Sequence, residues 1–250
     1  MSDRVFQETQ FDDGVHTRGK IGFVLLATEQ TVQDNIIKLT PPGVGIHFTR
    51  AAIPDSITVS TLSELESDLA RAASTLLPDG SLDVICYACT SGSLVLGEET
   101  VCRELNKGAP DASATSLITG VIRALKAVGG KRIAVATPYL DEINQLEKVY
   151  LERNGFEVAR IEGMQLEKDS DMVRVRPDYI AEFARALDGP NVDAVFISCG
   201  ALRSLDIVDR LEQQLGKPVI CSNQAMTWDC LRLAGVSDQI AGYGTLFRDY

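Results

Sequence analysis

The sequence has few histidines and no nucleotide-binding motif, and these absences argue against several classes of enzyme. Only two histidines occur among 250 residues, His16 and His47, and neither stands in a metal-ligand spacing. A serine triad or a metal centre is therefore not expected. The chain also lacks a dinucleotide fingerprint and a Walker lysine motif. We expect no cofactor and no metal.

Basic residues are too few for a nucleic-acid partner. The chain has 24 Lys and Arg against 35 Asp and Glu, which gives a formal net charge of −11. A nucleic-acid-binding protein needs a basic stripe to neutralise phosphates. No apolar run approaches the length that spans a membrane, and residues 1–20 are polar and charged rather than signal-like. We expect a cytoplasmic protein without a membrane partner, whose six cysteines stay reduced.

Short apolar runs alternate with helical patterns along the chain. Strands are predicted at 21–27, 46–51, 82–88, 133–136 and 192–198. Helices are predicted at 32–39, 61–76, 140–154 and 177–187. This alternation is typical of an α/β fold in which helices flank parallel sheets.

The second half of the chain repeats the order of the first. The apolar runs that start at 82 and 192 both begin seven residues before a cysteine, Cys89 and Cys199, and these lie 110 residues apart (199 − 89). We predict two similar lobes related by a pseudo-twofold, with the active site in the cleft between them. The predicted boundaries are a flexible lead-in at 1–18, a first lobe at 19–115 plus about 229–250, and a second lobe at 116–228.

Both repeated cysteines follow a strand, where ligands of open α/β sheets bind. Two facing lobes would bring the thiols of Cys89 and Cys199 to one cleft. A single cysteine at such a place is more often a small core residue, but the equivalent positions favour a functional pair. We expect each loop to open a helix whose free N–H groups attract an anion and lower the thiol pKa. Cys86 is interpreted as a core residue, because residues three apart on a strand point to opposite faces.

The residues after each cysteine predict a binding site for a small carboxylate. Thr90 and Ser91 supply hydroxyl donors beside Cys89, and Gly92 lets the backbone approach a ligand closely. Gly200 and Ala201 give the second loop the same small character. These five residues are predicted to contact the substrate.

Four segments resemble a known family. They are YACTSGS at 87–93, ATPYLDEIN at 136–144, ISCGALRS at 197–204 and KPVICSNQA at 217–225. Together they are similar to the aspartate/glutamate/hydantoin racemase superfamily, in the branch of maleate cis-trans isomerases and arylmalonate decarboxylases. The resemblance implies a two-lobed α/β enzyme without a cofactor. It also implies that Cys89 and Cys199 act as opposed nucleophile or base and acid, and that Tyr139 lines the substrate pocket.

Two departures from the family pattern bear on the substrate. Decarboxylases of this branch lack the first cysteine, so Cys89 argues against that activity. Maleate isomerases typically carry Ser-Asn-Thr-Thr at 28–31, where this chain places Glu29 instead of the asparagine. A carboxylate there repels a dianion and favours an ammonium or amide N–H, which suggests an amino acid or its N-acyl derivative. Proteins similar to this one are encoded for ectoine utilisation. The alternative is that Glu29 only caps the following helix.

Three functions remain open from the sequence. The leading one is an isomerase or racemase acting on a small carboxylic acid, either a maleate-like dicarboxylate or an amino-acid derivative. A decarboxylase of a malonate-type acid would use Cys199 as the proton donor. A two-lobed sensor would bind a small acid without turnover. A homo-oligomer is expected in each case.

Overall fold

Two four-stranded parallel sheets form the centre of the structure. The computed structural model describes residues 9–250. The strands within these residues are β1 (Gly19–Leu26), β2 (Val44–Ala51), β3 (Val84–Tyr87), β4 (Ser113–Ser116), β5 (Arg132–Thr137), β6 (Glu157–Gly163), β7 (Ala194–Ile197) and β8 (Val219–Cys221).

Helices cover the faces of both sheets. They are α1 (Val32–Lys38), α2 (Val59–Ser63), α3 (Glu66–Ala73), α4 (Thr90–Leu96), α5 (Glu98–Gly108), α6 (Leu117–Ala127), α7 (Asp141–Arg153), α8 (Asp169–Met172), α9 (Pro177–Leu187), α10 (Val208–Leu215), α11 (Ser222–Leu233) and α12 (Gly244–Asp249), with a 3-10 turn at Leu205–Ile207. None of these helices is both long and apolar enough to cross a membrane.

The two sheets have the same topology. Their strand orders are β2-β1-β3-β4 and β6-β5-β7-β8, and all neighbours pair in parallel. The helices that follow β4 and β8, α6 and α11, pack directly on each other, so that a Cβ at Gly120 would lie 3.0 Å from the Cα of Met226. Equivalent helices therefore meet at the junction of the lobes. The prediction of an α/β fold with two similar lobes is confirmed.

The central strands are buried on both faces, as parallel sheets between helices require. All four residues of β3 and of β7 are buried, and the rings of Phe23, Tyr87 and Phe196 are fully enclosed. Two of the edge strands are less buried: β4 begins exposed and ends buried, and β6 is exposed or half-buried along most of its length. The long apolar runs in the sequence thus mark the central strands of each lobe.

One predicted helix is wrong. The segment 61–76 contains two short helices, α2 and α3, and the first begins earlier because the side chain of Thr58 caps it and accepts the N–H of Thr61. The break follows Leu62, where the N–H of Leu65 bonds to the carbonyl of Leu62. This tight i to i+3 turn directs both leucines into the core.

The predicted lead-in and lobe boundaries are only partly visible. Residues 9–18 form no helix or strand, and residues 1–8 lie outside the described part of the chain. The boundaries at 115 and 228 stay predictions.

Candidate active site

A small cavity lies between the two lobes, at the carboxyl ends of their strands. Its volume is about 20 Å³ when the space open to solvent is left out, which is room for about one water molecule. Its walls are formed by Leu26, Glu29, Ile57, Ala88, Cys89, Thr90, Ser91, Tyr139, Asp169, Met172, Cys199, Gly200 and Ala201. Eight of the nine predicted site residues are in this set, and Gly92 lies just behind the wall.

Cys89 stands at the end of β3 and caps helix α4. Its sulfur accepts the N–H of Gly92 at 3.2 Å and lies 3.6 Å from the hydroxyl of Ser91. Gly92 is required because an added Cβ would lie 2.2 Å from the hydroxyl oxygen of Tyr87. That hydroxyl is buried without a hydrogen-bond partner of standard geometry. The predicted role of Gly92 is therefore corrected: it shapes the support of Cys89 rather than the cavity wall.

Cys199 follows β7 in an unusual backbone conformation. Its φ of +92° lies in the region that side chains other than glycine rarely adopt. The N–H of Cys199 donates to the hydroxyl of Ser222 at 3.0 Å, and its sulfur lies 4.0 Å from that of Met172. The prediction that this loop opens a helix is wrong, because the left-handed turn redirects the chain and helical structure starts only at Leu205.

Polar contacts join the two cysteine loops across the lobes. The hydroxyls of Thr90 and Ser222 lie 3.1 Å apart, so Ser222 contacts both loops. Nearby, the hydroxyl of Thr31 donates to the carbonyl of Ala201 at 3.0 Å. These contacts fix the relative positions of the two thiols, and they use the Thr90 hydroxyl as a structural group.

Burial raises the pKa of both thiols, contrary to the prediction. For Cys89 the pKa rises from 9.0 to about 11, although the N–H of Gly92 and the hydroxyl of Ser91 oppose the increase. The pKa of Cys199 is raised well above 9.0 by burial and then by the negative charge of Asp169. Tyr139 and the N–H of Ala201 oppose that increase. Desolvation outweighs the local donors, so both thiols are neutral at pH 7 in the empty cavity.

Glu29 both lines the cavity and caps helix α1. It is 7% exposed, and its Oε1 accepts the N–H groups of Thr31 and Val32, the latter at 2.8 Å. Its pKa is raised by burial and by the charge of Asp169, against the lowering effect of the N–H groups. One oxygen of Glu29 therefore acts as a helix cap. Because the residue also lines the cavity, its contact with a substrate stays a prediction.

Asp169 is a site residue that the sequence did not identify. It begins α8 in the second lobe, is 4% exposed, and its Oδ2 accepts the hydroxyl of Thr28 in the first lobe at 2.6 Å. Burial raises its pKa, and the Thr28 hydroxyl opposes the increase. No motif marks this residue, because the fold alone brings α8 to the β1–α1 loop.

Two surface segments close the cavity on the side of Asp169. The backbones of Ser56 and Lys168 form an isolated antiparallel β-bridge. The carboxylate of Asp55 accepts the N–H and the hydroxyl of Ser170 at 2.9 and 2.6 Å. Ile57 and Met172, from the same segments, line the cavity. These contacts hold the two segments against each other beside the cavity.

Glu147 lies behind the second cysteine loop. It is fully buried on α7, and its Oε1 accepts the hydroxyl of Ser198 at 2.6 Å while Oε2 has no partner. Burial raises its pKa from 4.5 to about 7. Its charge also raises the pKa of Tyr139. Glu147 is thus a titrating group in contact with Ser198, the residue that precedes Cys199.

The remaining cysteines lie outside the cavity. Cys86, Cys221 and Cys230 are buried, Cys102 is half-buried, and all six cysteines of the chain are free thiols. Cys86 is a core residue of β3, as predicted. Among residues 9–250, no three His, Cys, Asp or Glu side chains are grouped so as to hold a metal ion.

The fold and the cavity define a class of protein with two α/β lobes and a cysteine from each lobe in the shared wall. A family model described as arylmalonate decarboxylase matches residues 46–247. The chain therefore belongs to the arylmalonate decarboxylase family, within the predicted branch of maleate isomerases and arylmalonate decarboxylases.

Individual proteins show the same relationship. The arylmalonate decarboxylase of Bordetella bronchiseptica is 33% identical over 138 residues, which cover 54% of this chain and 58% of that protein. The maleate isomerase of Nocardia farcinica is 26% identical over 241 residues, or 92% of this chain and 95% of that protein.

A solved structure supports the fold over nearly the whole chain. It is that of a Nocardia farcinica maleate cis-trans isomerase mutant with a covalently bound succinylcysteine intermediate. It superimposes with a TM-score of 0.83 at 23% identity and covers 93% of this chain and 99% of that one.

Proposed function

We propose that the chain is an isomerase or racemase that acts on a small carboxylic acid with Cys89 and Cys199 as opposed thiols. The observation that carries the proposal is their equivalent placement: each cysteine follows the third strand of its lobe, and both line one small cavity. A core role for either cysteine would not require the two loops to meet.

The surroundings of the two sulfurs favour different roles. Cys89 receives an N–H from Gly92, which stabilises a thiolate, so it is the better nucleophile or base. After burial, the charge of Asp169 is the next cause of the raised pKa of Cys199, whereas it is a minor cause at Cys89, so Cys199 is better suited to donate a proton. In the empty cavity both sulfurs are neutral, so binding of the substrate must accompany the loss of the proton from Cys89.

Either reaction begins and ends with one thiolate and one thiol in the pair. In racemisation, the thiolate of Cys89 takes the α-proton and the thiol of Cys199 delivers one to the opposite face. In cis-trans isomerisation, the sulfur of Cys89 bonds to one alkene carbon while Cys199 protonates the other. The former double bond between the two carbons is then single, and rotation about it interconverts the cis and trans arrangements. Reversal of both steps releases the isomer. The covalent succinylcysteine in the Nocardia farcinica enzyme supports the second route.

A decarboxylase is the second candidate. The family description and the Bordetella bronchiseptica relative favour it, and the acid character of Cys199 suits protonation of the carbanion that remains after carbon dioxide leaves. The presence of Cys89 counts against it. Cytoplasmic location, homo-oligomerisation and a place in ectoine utilisation stay predictions.

The test is proton NMR of candidate acids incubated with the protein in D₂O. The panel contains maleate, both enantiomers of aspartate and glutamate, N-acetyl-diaminobutyrates and phenylmalonate. We expect fumarate from maleate or deuterium at an α-carbon, lost in Cys89→Ser and Cys199→Ser and kept in Cys102→Ser. Loss of carbon dioxide that needs only Cys199 would favour the decarboxylase. Binding without turnover would refute the enzyme and favour a sensor.

A further inference from the structure

Two buried carboxylates face the cavity, and among residues 9–250 no basic side chain lines it. Glu29 comes from the β1–α1 loop of the first lobe and Asp169 from α8 of the second. They are 7% and 4% exposed. Arg50, which lies behind the first loop, donates to the main-chain carbonyls of Leu26 and Glu29 rather than to a carboxylate. The cavity therefore offers acids without a compensating cation.

Each of the two carboxylates has one oxygen without a partner. The hydrogen bonds of Glu29 end at Oε1, and that of Asp169 ends at Oδ2. Within residues 9–250, neither Oε2 of Glu29 nor Oδ1 of Asp169 accepts a hydrogen bond. Neither of these two oxygens is fully enclosed, so both are open to the cavity. A ligand with N–H donors would satisfy both oxygens.

We propose that the substrate carries an ammonium group as well as a carboxylate, and that Glu29 and Asp169 bind the ammonium. This inference rests on the proposed function, because it concerns the same cavity and the same thiols. An ammonium group has three donors and a positive charge, which complement two carboxylates. A dicarboxylate would instead bring a second negative charge against them in a desolvated space.

The ammonium also favours the ionisation of a thiol. Burial is the largest cause of the raised pKa at both thiols; the charges of Asp169 and Glu29 add to it at Cys199, and that of Asp169 adds to it at Cys89. A cation bound between the two acids offsets these charges and so lowers the pKa of both thiols.

The experiment compares three ligands by isothermal titration calorimetry at pH 7.5: 4-aminobutyrate, succinate and butyrate. They share a carboxylate and differ in whether the far end is an ammonium, a carboxylate or a methyl group. We expect 4-aminobutyrate to bind the unaltered chain about tenfold or more tightly than either of the others. Tighter or equal binding of succinate, or no binding of 4-aminobutyrate, would overturn the proposal.

Two variants locate the effect. Asp169→Asn and Glu29→Gln keep a hydrogen-bond acceptor and remove the charge, so each is expected to lose about tenfold of the preference for 4-aminobutyrate. Asp171→Asn is the control, because it removes an exposed acid from the same helix α8. An unchanged preference in folded Asp169→Asn and Glu29→Gln would overturn the assignment. The ligand comparison on the unaltered chain needs neither variant.

This test is separate from that of the proposed function. Calorimetry reports the charge of the preferred ligand whether or not turnover occurs. Deuterium exchange in Cys89→Ser and Cys199→Ser reports the role of the thiols for whichever acid reacts. Either result can fail while the other holds.

Discussion

Replacing Glu147 by glutamine is predicted to remove a pH dependence from the stability of the protein. Glu147 is fully buried, and the unpaired Oε2 gives its charge no compensation. Glutamine has nearly the same shape and can still accept the hydroxyl of Ser198. The substitution therefore changes the titration of the site and little of its packing.

The magnitude follows from the two pKa values of this side chain. Burial raises the pKa of Glu147 from 4.5, the value expected in the unfolded chain, to about 7 in the folded one. The folded state therefore holds its proton to higher pH, so this contribution to stability is full below pH 4.5 and is lost as the pH rises through 7. By linkage the contribution is roughly 2–3 kcal/mol at pH 5 and close to zero at pH 8.

Urea unfolding at pH 5, 6, 7 and 8 measures this contribution. The difference in unfolding free energy between the unaltered chain and Glu147→Gln should change by roughly 2–3 kcal/mol from pH 5 to pH 8, in favour of the unaltered chain at low pH. Glu142→Gln, at an exposed position of the same helix α7, is the control and should show no such change. A difference that stays constant across this range would refute the raised pKa.

Three further predictions concern the two cysteine loops. Gly92→Ala should lower the unfolding free energy by about 1–3 kcal/mol, because its Cβ meets the Tyr87 hydroxyl, and Tyr87→Phe in the same chain should recover part of the loss in urea unfolding. Ser222→Ala leaves the N–H of Cys199 unpaired and should cost about 1–3 kcal/mol in thermal unfolding; an unchanged melting temperature would contradict this. Iodoacetamide should modify Cys89 tenfold faster for each pH unit up to about pH 11, whereas a plateau near pH 8 would show a much lower pKa.

The sequence predicted the parts of the fold that depend on burial and repetition. Strands β1, β2, β3, β5 and β7 coincide with the five apolar runs. β1, β3, β5 and β7 lie inside the sheets, where both faces are covered and the strand must be apolar along its length, whereas β2 is a half-buried edge strand. The other edge strands, β4, β6 and β8, were not predicted. They are short or partly exposed, so they leave no continuous apolar run.

The same reasoning explains which part of the site was found. Cys89 and Cys199 stand at equivalent places in a repeat, and parallel strands bring such places to one edge of each sheet. The direction of the thiol pKa was predicted wrongly, because local N–H groups are visible in a sequence and the depth of burial is not. Cys199 shows this most clearly: its left-handed backbone replaces the expected helix, and its thiol faces a carboxylate.

Asp169 shows what the sequence could not supply and why it matters for function. It lies 80 residues from Cys89 (169 − 89), in an edge segment without a motif, and reaches the cavity only because α8 contacts the β1–α1 loop through Thr28. Glu29 alone could be explained as a helix cap. Glu29 together with Asp169, from opposite lobes and each with an oxygen open to the cavity, forms a pair that suits an ammonium group better than a second carboxylate. In our proposal this pair, rather than either residue alone, favours an amino acid over a dicarboxylate as the substrate.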